Sequence, residues 1–559
     1  MKTLKKVLCI LLSVLLCSSF ILPAIAEEIE ETEDTEDPQK LVIFVEGIAA
    51  RDILKVGSDE GVFPPSANSI VNAVFKALPG IMGAIVKQDI SVMEQPLVEA
   101  VNDIFLPAAC DENGIPSPDT YFDWEWPSDE DILAAYESQD PHARIVYCYD
   151  WRLSMQTIVS GLHDFIMHVM EVTGVEKVSL IGFSMGASTV MSYLKMYEDE
   201  YYNYIEGVVL LAGAFSGVSS CGEPFSGQVW LDSDALVRFV DGMINPDDSL
   251  MNVILTTLIH ALNNMGTLDK VVDLGNEIVE KLKPAVYEQV FTQTFATMPG
   301  MWALIAPEDY EAAKAILAGT LPQSYIDTID WYQYEVQANR EEIIDDLLDR
   351  GINFGIVAKY GYAVTPVISD INSMSDSVID TKYESFGATC APVDSTLGDG
   401  YVQAVNNGHN CISADGMIDS STCAYCDYTW FVKNIAHSNE YGAMMNVCRP
   451  IIDADQQITV WDEAPAAAEG EEQEVRYSQF SIYDEKLGKV VPLTAENNVI
   501  KYTVDPSQET AWTIFVNNIK NLISFFKKTI ENFKNQLHSF GDKIVGFGNK
   551  IANLGNAVC

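Results

Sequence analysis

Lys177-Val178-Ser179-Leu180-Ile181-Gly182-Phe183-Ser184-Met185-Gly186-Ala187-Ser188-Thr189-Val190 decides how the chain is read. Val178 to Ile181 is a short, mostly apolar run with β-branched residues, the composition of a buried strand. From Ala187 the pattern turns helical, with Val190, Met191, Leu194 and Tyr197 recurring at three- and four-residue steps. Between them, Gly182-Phe183-Ser184-Met185-Gly186 fits Gly-x-Ser-x-Gly. A serine is a weak nucleophile unless its oxygen is exposed and a base can reach it. A sharp strand-to-helix turn lifts that oxygen above the sheet, and its flanks must be small because strand and helix nearly touch there. The Met185 amide would then point at a developing oxyanion from a helix N-terminus. The bland alternative is a glycine-rich turn in which Ser184 only caps the helix.

Working outward, the same alternation repeats. Leu41-Val42-Ile43-Phe44-Val45 reads as a strand, followed by Glu46-Gly47-Ile48, and the loop amide at Ile48 is the expected second oxyanion donor. Arg144 to Cys148 is another strand. Ile158, Leu162, Phe165, Ile166, Val169 and Met170 then mark a helix ending near Gly174. Gly207 to Leu211 adds the next strand after the elbow. This order predicts a parallel sheet with right-handed crossovers, hence an α/β class. Residues 218–350 have no clear strand but carry helical patterns, such as Met251 to Leu262 and Ile278 to Phe295. They are expected to form a helical cap over the C-terminal edge of the sheet, between core segments 41–217 and 351–462. Asn353 to Ala358 resumes the sheet, residues 367–397 read as a long loop, and Tyr428 to Ala436 reads as the last strand.

The flanks are distinct in composition. Lys2, Lys5 and Lys6, an apolar run from Val7 to Leu22 and Ala24-Ile25-Ala26 have the form of a signal peptide over 1–26. The expected location is therefore secreted, extracellular or at the cell surface. Removing that segment takes away three lysines and no acids, moving the formal charge from −48 to −51. So acidic a surface repels phosphates and excludes nucleic acid as a partner. Residues 27–40 read as an acidic leader, and 463–509 as a linker with a small β module. In 510–559 Phe515, Ile519, Leu522, Phe526, Ile530 and Phe533 repeat at helical spacing among six lysines, an amphipathic helix suited to contact with a membrane surface. Nine cysteines lie beyond the signal segment. Cys411, Cys423 and Cys426, with His409 nearby, have partial zinc-ligand spacing, but without a second close pair a local disulfide or buried thiols is the stronger reading.

A serine nucleophile needs a base, and an acid to orient it. In this class of fold the chain order is Ser, then Asp or Glu, then His. That order leaves His409 and His437 as core candidates. His437 is preferred because it follows the last expected strand and precedes a helix. For the acid, Asp399 is preferred because Gly398-Asp399-Gly400-Tyr401-Val402 is a glycine-flanked turn. Asp370, Asp376, Asp380 and Asp394 are its rivals.

Five segments then combine, in order. Tyr149-Asp150-Trp151-Arg152-Leu153, Gly182 to Gly186, Leu211-Ala212-Gly213-Ala214, Tyr360-Gly361 with Thr365-Pro366, and Gly398 to Val402 resemble lecithin:cholesterol acyltransferase-like α/β hydrolases over roughly residues 41–452. The resemblance implies an α/β-hydrolase core and acyl transfer from lipid esters to water or an alcohol. It carries Ser184 over as nucleophile and Asp399 as acid, while His437 rests on order and context.

The expectation is a secreted serine hydrolase of carboxylic, lipid-like esters. Ser184, His437 and Asp399 would be catalytic, with the Met185 and Ile48 amides as oxyanion donors and no metal or cofactor required. The rivals are an acyltransferase to an alcohol and a catalytically silent surface-binding protein on the same scaffold.

Overall fold

The computed structural model describes residues 40–498, apart from positions within 59–88, 139–141, 244–267 and 440 and the stretch 463–477. The signal segment, the leader up to residue 39 and the C-terminal helix read from the sequence lie outside the described residues.

Eight strands form the central sheet: β1 (Val42–Val45), β2 (Ile145–Tyr147), β3 (Val178–Phe183), β4 (Ile205–Leu211), β5 (Asn353–Tyr360), β6 (Thr429–Lys433), β7 (Phe480–Asp484) and β8 (Lys489–Pro492). Their order across the sheet is β8-β7-β6-β5-β4-β3-β1-β2. All neighbours are parallel except β7 and β8. Parallel sheets of this kind need both faces covered. The alternation along β1 supplies both: Ile43 and Val45 enter one core, Val42 and Phe44 the other. Helices α1 (Met155–Thr173) and α2 (Met185–Met196) contribute Ile158, Leu162, Phe165 and Val190 to the first core. Helix α4 (Tyr441–Asp453) contributes Met444, Met445, Cys448 and Ile451 to the second. The molecule is therefore an α/β-hydrolase-type fold.

Two boundaries differ from the expected ones. Helix α3 (Arg340–Asp349), at the end of the stretch expected as cap, packs Ile343, Ile344 and Leu347 into the first core. Its place is that of a crossover helix feeding β5. The β module expected after the linker is not separate: β7 pairs with β6, and β8 pairs with β7 at the sheet edge. A strand next to β6 satisfies ladder groups that would otherwise face solvent.

The rest of the cap region is helical where described, including Leu268–Gln289, Pro307–Leu317 and Gln323–Trp331. It builds its own core from Phe225, Trp302, Ile305, Tyr310 and Leu317. It also reaches the elbow. A side chain at Gly300 would meet the Trp151 carbonyl at 2.0 Å and the Met185 side chain at 3.0 Å.

Candidate active site

Ser184 stands between β3 and α2 with φ 57° and ψ −125°, a backbone region that a non-glycine residue occupies only when its surroundings impose it. Those surroundings are visible. The Ser184 amide donates to the Leu211 carbonyl on the neighbouring strand, and its carbonyl accepts from Ala187 and Ala214. The small flanks are a steric requirement: a methyl at Gly186 would lie 2.0 Å from the Val45 carbonyl, and one at Gly182 2.7 Å from the Ala187 Cα. The strain is thus held by contacts with β1, β4 and α2 together.

His437 follows β6 by four residues. Its Nε2 lies 2.9 Å from Ser184 Oγ. The ring packs against Phe183, with centroids 4.9 Å apart. Its backbone is fixed from below by Lys359 on β5, a 1 %-exposed lysine whose Nζ donates to the His437 carbonyl at 2.7 Å and the Ala436 carbonyl at 3.2 Å. Both Ser184 and His437 are buried.

The carboxylate at His437 Nδ1 belongs to Asp376, whose Oδ2 is hydrogen-bonded to it. Its Oδ1 accepts from the Val378 and Ile379 amides at 2.9 and 2.8 Å. Burial raises the Asp376 carboxyl, but the imidazole beside it and its hydrogen bonds outweigh that, holding it below its ordinary value. Asp399, the acid expected from the sequence, is not in this constellation. It is exposed on a turn between Gly398 (φ +96°) and Gly400 (φ +82°). The physical reason is burial. An acid that orients a buried imidazole must itself be enclosed, and Asp376 is enclosed by Met374, Ser375, Ser377 and Ile379, all buried. Asp399 has only glycines beside it. The other rivals are placed elsewhere too: Asp370 and Asp394 are exposed, and Asp380 bonds to Ser219 and Ser373. His409 stacks on Trp461, with centroids 4.1 Å apart.

The Glu46-Gly47-Ile48 loop meets the serine directly. A methyl on Gly47 would lie 2.7 Å from Ser184 Cβ and 3.1 Å from Oγ. Met185 is the first residue of α2, so its N–H has no carbonyl one turn earlier to receive it. The Tyr149–Leu153 motif has a structural role. Arg152 holds Asp150 through two hydrogen bonds, of 2.9 and 2.7 Å, and also reaches the Ala108 carbonyl and Thr120 Oγ1. Trp151 is buried against Phe63.

Asp376, Glu384 and His437 offer atoms within 4.8 Å of one another, the spacing of a metal triad. Within this group His437 Nδ1 bonds to Asp376, and Glu384 Oε2 accepts from the Lys359 amide at 2.7 Å. Cys411 and Cys426 have their sulfurs 3.8 Å apart, and no disulfide forms among the described residues. Among the described residues no helix is long and apolar enough to cross a membrane.

Comparison with known proteins adds a sequence relationship. The lecithin:cholesterol acyltransferase family model matches residues 140–223, from before β2 to beyond β4. No curated protein matches the chain. Among solved structures, a chain of the Tle4–Tli4 complex is similar at 16% identity, over 33% of this chain and 48% of that one, with a TM-score of 0.18. The family match spans the elbow with Ser184 and the Tyr149–Leu153 motif, so over residues 140–223 the chain is similar to the lecithin:cholesterol acyltransferase family.

Proposed function

We propose that the chain is a serine hydrolase of carboxylic esters, lipid esters foremost, working through an acyl-enzyme on Ser184. The observation that carries this reading is the line Ser184 Oγ, His437 Nε2, His437 Nδ1, Asp376 Oδ2, assembled from three separate parts of the chain. His437 takes the Ser184 proton as the oxygen attacks the ester carbonyl, and returns it to the departing alcohol. Asp376 fixes the tautomer with Nδ1 protonated and stabilises the imidazolium that forms. The Met185 and Ile48 amides receive the oxyanion, and Gly47 lets that loop approach. Water then attacks the acyl-enzyme with His437 again as base. An alcohol in place of water gives transfer instead, through the same intermediate.

The signal-like sequence over residues 1–26 supports secretion, and the lysines and helically spaced apolar residues of 510–559 support contact with a lipid surface. The test is hydrolysis of p-nitrophenyl esters of graded chain length by the secreted protein and by Ser184→Ala. Turnover that rises with acyl length and vanishes in the variant supports the proposal. Equal turnover by the variant rejects it. Product analysis with an added alcohol separates hydrolysis from transfer.

A further inference from the structure

Behind Asp376 lies a second carboxyl group that the proposed reaction does not use. Glu384 ends the short helix Thr381–Glu384 and is completely buried. Its carboxyl packs against that of Asp376, the two lying with His437 inside one 4.8 Å cluster. Two buried carboxylates this close cannot both be ionised, so the pair must keep a proton.

Their hydrogen bonds decide which one keeps it. Asp376 accepts from three donors: the Val378 amide, the Ile379 amide and the His437 ring. Glu384 Oε2 accepts from one, the Lys359 amide, and Glu384 Oε1 faces no donor. A carboxylate oxygen without a donor in a dry site is costly, while a protonated one facing a carboxylate makes a charge-assisted hydrogen bond. We propose that Glu384 is a neutral carboxylic acid that donates its proton to Asp376 and so positions the carboxylate that orients His437. The groups facing Glu384 are Asp376, His437 and Lys359, with the Cys390 thiol near. Burial, and after it the Asp376 charge, hold Glu384 far above the ordinary carboxyl range. Lys359 opposes this, but its Nζ is bonded to the Ala436 and His437 carbonyls. Glu384 is a positioning residue: it acts through Asp376.

The role rests on the proposed hydrolase reading, so one readout is independent of activity. A folded-state proton that the unfolded chain loses above about pH 4.3 makes wild type lose stability as pH rises from there toward the folded-state value. Glu384→Gln keeps a donor and the shape but has no such proton. Its melting temperature relative to wild type should therefore rise steadily between about pH 5 and pH 8. An unchanged difference across that range overturns the proposal, even if no substrate is ever found.

Given turnover, the second readout is the acidic limb of the kcat/KM–pH profile. Glu384→Gln should leave the limb where it is, with rates within about threefold of wild type, and Glu384→Leu should lower kcat about tenfold at constant KM. An ionised Glu384 would instead stabilise His437 as imidazolium. Its replacement by Gln would then move the acidic limb downward, and that result overturns the proposal. Loss of all Ser184-dependent turnover in wild type would sink the hydrolase reading alone.

Discussion

The serine side of the site and the acid-base side are built in opposite ways. Ser184 is presented by residues adjacent in sequence, since β3 and α2 run directly into it and Gly182 and Gly186 clear the space, and β1 and β4 then lock the turn. Asp376 and His437 are 61 residues apart and are joined only through tertiary contacts. Buried polar groups surround them: Lys359 under His437 and Glu384 behind Asp376, with the Lys433–Asp415 ion pair at the end of β6. A nucleophile can thus be specified locally, by steric rules, whereas its partners need a folded polar scaffold.

The largest effect that would break this contrast is chemical. Asp376→Asn should lower kcat about a thousand- to ten-thousand-fold, because the wrong tautomer of His437 then faces the serine. Steady-state kinetics of the purified variant, with circular dichroism to check folding, measures this. A loss under tenfold would mean that another group orients the imidazole.

Next comes the scaffold. Lys433 and Asp415 are almost wholly buried and 2.8 Å apart. Asp415→Ala leaves the buried ammonium with Asn498 Oδ1 but without its counter-charge, and should cost about 3–5 kcal/mol in denaturant unfolding. A cost below about 1 kcal/mol, as for a surface pair, would deny the scaffold its importance.

The serine side should fail sterically. Gly47→Ala puts a methyl 2.7 Å from Ser184 Cβ and should cost about 1–3 kcal/mol of stability and about a hundredfold in kcat. The smallest effect sharpens the correction at the acid: Asp399→Asn, on its exposed turn, should leave kcat/KM within about twofold and stability within about 0.5 kcal/mol.

How much was legible in the sequence follows the same division. The elbow, the β1, β2 and β4 strands and the parallel order were readable because their periodicities and glycines are local. His437 was readable from chain order and the strand before it. Asp376 is one of the rivals in the sequence, but Gly398-Asp399-Gly400 carries the more conspicuous turn signal. What distinguishes Asp376 is enclosure, hinted at by Met374 and by Val378-Ile379 around it, and enclosure is decided by the packing of the whole loop. The helix α3 and the strands β7 and β8 were misplaced for the same reason, because which layer an apolar pattern joins depends on partners far away in sequence.

Fluorophosphonate labelling followed by peptide mapping tests the central claim most directly, because the reagent reacts with a serine whose proton a neighbouring base can take. The prediction is a single stoichiometric adduct on Ser184, absent from Ser184→Ala and formed far more slowly in His437→Ala. An unlabelled wild-type protein, or equal labelling of all three, would contradict it.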